Sequence, residues 1–294
     1  MKKITQALSK RKLLISDGAW GTFLQAKGLK AGECPELWNI THPNIVMEIA
    51  RSYIEAGSDM IQTNSFGGSS IKLAHYGLAE RAFELNKTAA EISKKAAGKN
   101  HFVLGSIGPT GKILMMGELS EEDFYLSFAE QSRALASGGA DAIVIETMSD
   151  IDEAKQAIRA AKEHTDLEVI CTMTFEKTKN EDFKSMMGYS PKDMVREILK
   201  DGVDIIGANC GNGIRDMIDI VKEIRHENKD IPILIHANAG IPVYQDGQTV
   251  FPETPDEMAS FILPIVHAGA NIIGGCCGTT PEHIRKMKEM IDKI

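Results

Sequence analysis

The sequence has little of several features that mark particular protein classes. Aromatic residues make up 6% of the 294 residues, and Lys and Arg form no basic cluster. With a formal net charge of −8, this argues against a nucleic-acid partner. The apolar run Leu13–Ile15 stops at Ser16 and is too short for a signal peptide or a membrane span. We therefore expect a cytoplasmic protein without a membrane partner.

Cysteine is also scarce. Five cysteines, an odd number, without a secretory signal are typical of free thiols or metal ligands rather than of a disulfide framework. The rest of the composition, 43% hydrophobic and 25% charged, is that of an ordinary globular protein. There is no linker or low-complexity tract, so we predict a single domain over residues 1–294.

Eight short apolar runs alternate with amphipathic stretches. The runs are Leu13–Ala19, Met60–Ser65, Phe102–Gly108, Ala142–Thr147, Val169–Phe175, Ile205–Cys210, Ile233–Ala239 and Ile272–Cys277. They resemble strands buried on both faces of a parallel sheet, and glycine-containing turns such as those at Gly57 and Gly269 precede them. This alternation predicts an α/β fold, a single (β/α)8 TIM barrel, with a doubly wound open sheet as the alternative.

Polar residues concentrate where these predicted strands end, which is the end that carries the active site in such barrels. They include Asp17, Thr63, Asn64, Ser106, Glu146, Asn209, Cys210, Asn238, Cys276 and Cys277. We interpret Thr63 and Ser106 as caps. Asp17 could instead form a turn with the following glycine, and Glu146 could be a salt-bridged carboxylate at the barrel mouth.

Three cysteines lie at the ends of predicted strands six and eight. Only strand seven separates Cys210 from Cys276 and Cys277, so their sulfurs could converge. Three thiolates suit Zn²⁺ and leave one coordination position open, as in catalytic zinc sites. The alternative is that the cysteines are small buried hydrophobes, which is our interpretation of Cys34 and Cys171. His236, inside strand seven, is interpreted as a satisfied core histidine.

An open site of this kind favours one chemistry. Zinc with three thiolates carries a formal negative charge, so it activates water poorly but can still bind a thiol and displace its proton. The strand ends lack the His and Glu spacings of zinc hydrolases. The residues therefore favour alkylation of a thiol.

The segment Gly274–His283, GGCCGTTPEH, resembles the zinc motif of the homocysteine S-methyltransferase family. Further matching motifs follow the family's order along the chain: Asp17–Thr22, Gln62–Gly67, Gly105–Gly111, Glu146–Asp150, Gly207–Cys210 and Asn238–Gly240. Within the family, the chain is most similar to the homocysteine-binding barrel of cobalamin-dependent methionine synthases.

This resemblance implies a role for each matching residue. Cys210, Cys276 and Cys277 would bind zinc, and Asn238 would be a displaceable fourth ligand. Asp17, Glu146 and the backbone of Gly21 and Thr22 would hold the amino-acid end of homocysteine, while Asn64 would orient the substrate or brace its loop. The reaction would convert homocysteine to methionine, with the methyl group taken from methylcobalamin on a separate corrinoid protein or corrinoid/folate module.

Two loops, Glu176–Pro191 and Gly211–Gly213, depart from the form expected in the family and leave the donor and acceptor open. The donor could be S-methylmethionine or betaine, and the acceptor another thiol. Two further alternatives are a non-catalytic thiol- or zinc-binding module and a zinc-free barrel enzyme with incidental cysteines.

Overall fold

An eight-stranded parallel sheet forms the centre of the computed structural model, which describes residues 3–245 and 247–294. Its strands are β1 (Leu14–Ile15), β2 (Met60–Gln62), β3 (Phe102–Ile107), β4 (Ala142–Met148), β5 (Glu168–Met173), β6 (Ile205–Gly213), β7 (Ile233–Asn238) and β8 (Ile272–Gly275). From β2 to β8 each strand pairs with the next one in the chain, and β8 pairs with β1.

The sheet closes between its two edges, β1 and β2. The Asp59 N–H donates to the carbonyl oxygen of Ile15 at 2.8 Å, and the Gln62 N–H donates to Asp17 Oδ2 at 2.7 Å. The strand order follows the chain without the reversal that a doubly wound sheet requires. The predicted (β/α)8 barrel is therefore confirmed, and the open-sheet alternative is wrong.

Helices surround the barrel. They are α1 (Ile4–Arg11), α2 (Gly21–Ala26), α3 (Trp38–Thr41), α4 (Pro43–Glu55), α5 (Ser70–Leu73), α6 (Ala82–Ala97), α7 (Glu121–Ser137), α8 (Ile151–His164), α9 (Pro191–Ile198), α10 (Ile214–Glu227), α11 (Pro255–Ser260), α12 (Ile262–Ala268) and α13 (Pro281–Ile291). Short 3₁₀ helices cover Pro35–Leu37, Ala74–Tyr76, Ala79–Arg81, Leu114–Met116 and Leu199–Asp201. Two small hairpins, Glu176–Lys177 with Phe183–Lys184 and Val243–Gln245 with Gln248–Val250, lie in the loops after β5 and β7.

The N-terminal end of the barrel is closed by α1. Ile4 and Leu8 pack into the buried cluster that also holds the first residues of the strands, such as Leu14 and Ile272. Backbone N–H groups of Ile4 and Thr5 donate to the carboxylate of Glu168, at the start of β5. Cavities that enter the barrel must therefore open at the other end.

All eight strands differ from their predicted runs at one or both ends, and β1 and β6 show two of the reasons. Only Leu14 and Ile15 of the first run pair as a strand, because the chain turns into the loop that carries Asp17. The sixth strand continues past Cys210 to Gly213, with an irregularity in its pairing after Asn209. Within residues 3–245 and 247–294, none of the helices combines the length and apolarity needed to cross a bilayer.

Candidate active site

A cavity of about 230 Å³ opens at the C-terminal end of the barrel. Its lining includes Trp20, Gly21, Leu24, Glu36, Gln62, Asn64, Phe66, Ser106, Glu146, Cys210, His236, Cys276 and Cys277. Among these described residues none is Lys or Arg. An anionic group of a ligand would therefore have to be held by N–H or O–H donors or by a bound cation.

Cys210, Cys276 and Cys277 meet at this cavity. Their sulfur atoms lie within 4.8 Å of one another, and all three side chains are partly buried. Strand β8 ends at Gly275, so the vicinal pair is free of the strand alternation that would send its side chains to opposite faces. The Cys276 N–H donates to the carbonyl oxygen of Ala237 at 2.7 Å, and the Ala239 N–H donates to that of Cys277 at 3.0 Å. These bonds fix the pair against β7.

The cluster of three thiols readily carries one negative charge, but it does not readily carry three. The pKa of Cys210 falls to about 3 because the thiols of Cys276 and Cys277 donate hydrogen bonds to its sulfur. The same contacts with Cys210 raise the pKa of Cys276 and Cys277, since a second thiolate would form beside the first. A bound cation is what would let all three sulfurs ionise together.

Asn238, at the end of β7, lies beside this cluster. It hydrogen-bonds to the Cys210 sulfur, while its Oδ1 is buried and has no partner among the described residues. A buried amide oxygen without a donor is costly, with a penalty of about 1–3 kcal/mol. An orphaned oxygen next to three thiols fits the fourth position of a metal site.

Two buried carboxylates, Asp17 and Glu146, lie near the thiol cluster. Burial raises the pKa of Asp17 to about 6, although hydrogen bonds from the Gln62 N–H, the Trp20 indole and Ser16 oppose it. Burial likewise raises the pKa of Glu146 to about 7, against hydrogen bonds from Ser106 and Gln62. Neither carboxylate forms a salt bridge with a described residue, so the salt-bridge interpretation of Glu146 is wrong.

The other predicted substrate-binding residues are Gly21, Thr22 and Asn64, which differ in their contacts. Gly21 begins α2 and lines the cavity, whereas the Thr22 hydroxyl accepts a hydrogen bond from the Gly278 N–H at 3.3 Å. The Asn64 side chain donates to the carbonyl oxygen of Pro35 at 2.8 Å and to Asn39 Oδ1 at 3.0 Å. Asn64 therefore lines the cavity while bracing its wall.

Sequence reasoning assigned no role to Gln62 and misjudged Ser106 and His236. Gln62 and Ser106 both donate to Glu146 and line the cavity, although Ser106 was expected to be only a cap. Gln62 lies inside the predicted strand Met60–Ser65, where a polar side chain in an apolar run was the available signal. His236 is 1% exposed, as a core histidine should be, but its Nε2 has no partner among the described residues. The expectation that this ring is satisfied is wrong.

Comparison with known proteins gives a consistent result. The family described as homocysteine S-methyltransferase matches residues 14–291. The methionine synthase of Mycobacterium tuberculosis is 31% identical over 309 aligned positions, which cover 99% of this chain and 25% of that protein. The methionine synthase of Mycobacterium leprae is 31% identical, covering 94% of this chain and 24% of that protein. The chain thus spans about a quarter of the length of these curated relatives.

A solved structure has the same architecture. The metallated form of the homocysteine methyltransferase MmuM from Escherichia coli superposes with a TM-score of 0.80 at 24% identity, covering 97% of this chain and 98% of that one. Its oxidized form gives a TM-score of 0.79 at 23% identity, covering 98% and 99%. At this level of identity the likeness establishes the fold.

Proposed function

Since the chain belongs to the homocysteine S-methyltransferase family, we propose that it methylates the thiol of homocysteine to give methionine, with Zn²⁺ held by Cys210, Cys276 and Cys277. The observation that carries this proposal is the convergence of three sulfurs within 4.8 Å at a cavity that also holds Glu146. We further propose that residues 1–294 act as one homocysteine-binding domain in the cytoplasm, where a reducing environment keeps the thiols free.

The donor set suits zinc. Tetrahedral coordination at about 2.3 Å separates two thiolate ligands by about 3.8 Å, which the observed sulfur cluster accommodates. Asn238 Oδ1 supplies a neutral fourth ligand that a substrate thiol can replace. When bound, zinc would lower the pKa of the incoming thiol, so that a thiolate is available at neutral pH. The metallated form of the Escherichia coli homocysteine methyltransferase is consistent with a metal here.

The cavity residues can hold the rest of homocysteine. Glu146 lines the cavity and provides an acceptor for the α-ammonium group. Asp17 is 0% exposed and is linked to Glu146 through Gln62, so we propose that it favours the ammonium group by its negative charge from outside the cavity wall. Gly21 and Thr22 begin α2, and the first N–H groups of a helix have no acceptor within it, so they can bind the α-carboxylate. We assign Asn64 to bracing of the cavity wall through Pro35 and Asn39.

The methyl group is proposed to come from a corrinoid on a partner protein or corrinoid/folate module. The similarity to methionine synthases supports this donor. A set of exposed apolar side chains on the loops after β2, β3, β5 and β7 also supports a protein-borne donor. We name this set the apolar rim; it consists of Phe66, Met115, Met116, Met186 and Tyr244. Exposed methionines suit adaptable contact with the surface of a partner protein that carries the corrinoid.

The test is a parallel assay of homocysteine with methylcobalamin, S-methylmethionine and betaine, combined with metal analysis. We expect about one zinc per chain and turnover with methylcobalamin. Cys210→Ala should lose both zinc and turnover, whereas Cys171→Ala, a buried cysteine within β5, should keep both. Turnover with S-methylmethionine or betaine alone would replace the proposed donor. Full zinc loading without turnover from any donor would favour a non-catalytic thiol-binding module.

A further inference from the structure

Gln62, at the end of β2, connects two buried carboxylates, Asp17 and Glu146. Its backbone N–H donates to Asp17 Oδ2 at 2.7 Å, and its side-chain Nε2 donates to Glu146 Oε1 at 2.7 Å. The residue is 6% exposed, and Ser93 Oγ donates to its carbonyl oxygen at 3.0 Å. A single buried residue of β2 therefore holds two acidic groups, Asp17 in the loop after β1 and Glu146 in β4.

The two donors to Glu146 leave its carboxylate with one oxygen free. Both Gln62 Nε2 and Ser106 Oγ donate to Oε1. Oε2 accepts no hydrogen bond from a described side chain or backbone group, and Glu146 lines the cavity. An ionised carboxylate has several acceptor positions, so this oxygen is available to a donor on a ligand.

We infer that Gln62 is a positioning residue that makes the cavity select thiols carrying an α-ammonium group. This inference rests on the proposed function, in which Glu146 meets that ammonium group. Without the Gln62 amide, the carboxylate keeps only the Ser106 bond to Oε1 and can rotate about its last torsion. The free oxygen would then no longer be fixed toward the substrate.

Glutamine suits position 62 better than the two residues of similar size, glutamate and methionine. The cavity already holds the buried carboxylates of Glu36 and Glu146, so another carboxylate at position 62 would add like charge in a poorly hydrated place. Methionine has a similar length but no donor, which makes Gln62→Met the variant that removes the bond and keeps the volume.

The experiment measures binding of two thiols to the zinc-loaded protein by calorimetry. One is homocysteine, and the other is γ-mercaptobutyrate, which lacks only the α-amino group. We expect Gln62→Met to weaken homocysteine binding by about 10- to 100-fold and γ-mercaptobutyrate binding by less than about threefold, because only homocysteine has an ammonium group that hydrogen-bonds to Glu146. Ser106→Ala, which removes the other donor to Oε1, should shift the same ratio in the same direction.

The control is Gln131→Met, which removes a buried glutamine of α7 that donates to the carbonyl oxygen of Ser65. It should leave the ratio of the two affinities unchanged. Equal weakening of both thiols, or no weakening, in Gln62→Met would overturn the inference while the proposed function stands. If the wild-type protein binds neither thiol, the proposed function itself fails, and the inference fails with it.

Discussion

The Asn209 side chain holds Thr147 through two hydrogen bonds. Its Oδ1 accepts from the Thr147 N–H at 2.8 Å, and its Nδ2 donates to Thr147 Oγ1 at 2.7 Å. Thr147 has φ 61°, a left-handed backbone that is strained for a β-branched residue, and Cys210, next to Asn209, has φ 58°. This pair therefore joins the ends of β4 and β6, which carry Glu146 and Cys210.

Loss of the Asn209 amide should destabilise the protein. We expect Asn209→Ala to lower the free energy of unfolding by about 2–3 kcal/mol. Three hydrogen bonds are lost, two with Thr147 and one that Thr172 Oγ1 donates to Asn209 Oδ1 at 2.7 Å, and the strained turn keeps its cost. Thr147→Gly removes the strain and also the hydroxyl that accepts from Asn209 Nδ2. That hydrogen bond is lost in each single variant but only once in the double variant, which should therefore be more stable than the sum of the single effects. Denaturant unfolding of the four proteins measures this coupling, and simple additivity would contradict it.

Removal of the proposed fourth ligand should weaken metal binding in the free protein. We expect Asn238→Ala to lower zinc affinity by about tenfold, because water must replace the amide oxygen. With homocysteine bound, the affinity should approach that of the wild type, since the substrate thiol takes the same position. Chelator competition with and without homocysteine measures the difference. An equal loss of affinity in both conditions would show that Asn238 only supports the cysteines.

Glu146 should make stability depend on pH. Its pKa is about 7 in the folded protein, whereas a glutamate in the unfolded chain titrates near its ordinary value. The folded state therefore binds more protons between these values, so the contribution of Glu146 to folding is present in acid and is lost as pH rises through 7. As the pH is raised from about 5 to about 8, the free energy of unfolding of Glu146→Gln should increase by up to about 3 kcal/mol relative to that of the wild type. Denaturant unfolding at both pH values checks this, and a constant difference would contradict it.

The apolar rim should affect turnover only when the methyl donor is carried by a protein. We expect Met115→Glu combined with Met186→Glu to lower kcat/KM for a corrinoid protein by at least about tenfold, because charges would be buried on docking. Turnover with free methylcobalamin should change little. Both side chains are highly exposed, at 79% and 75%, so the fold should tolerate the changes. Equal loss with the free cofactor would assign these residues to the cavity instead.

The barrel could be predicted because each strand and helix has a recognisable pattern within its own segment of the sequence. Buried strands are apolar, and glycines such as Gly57 and Gly269 take the left-handed φ that ends the preceding helix. The cysteines could be proposed as one cluster because strand order alone brings the ends of β6 and β8 near each other.

The remaining features of the site depend on side-chain contacts that periodicity does not encode. Nothing in the spacing indicates that Gln62 reaches Glu146, or that Asn209 reaches Thr147. The environment of His236 also depends on a distant residue: a Cβ at Gly274 would come within 2.8 Å of its ring. Such pairings are set by packing between strands that are remote in sequence.

The plug that α1 forms at the N-terminal end of the barrel has a consequence for the order of binding. With that end sealed by Ile4 and Leu8, thiol, product and methyl donor all use one opening. A donor protein seated on the apolar rim would cover this opening. We therefore expect a compulsory sequence in which the thiol enters first, the donor docks second, and the methylated product leaves only after the donor has gone.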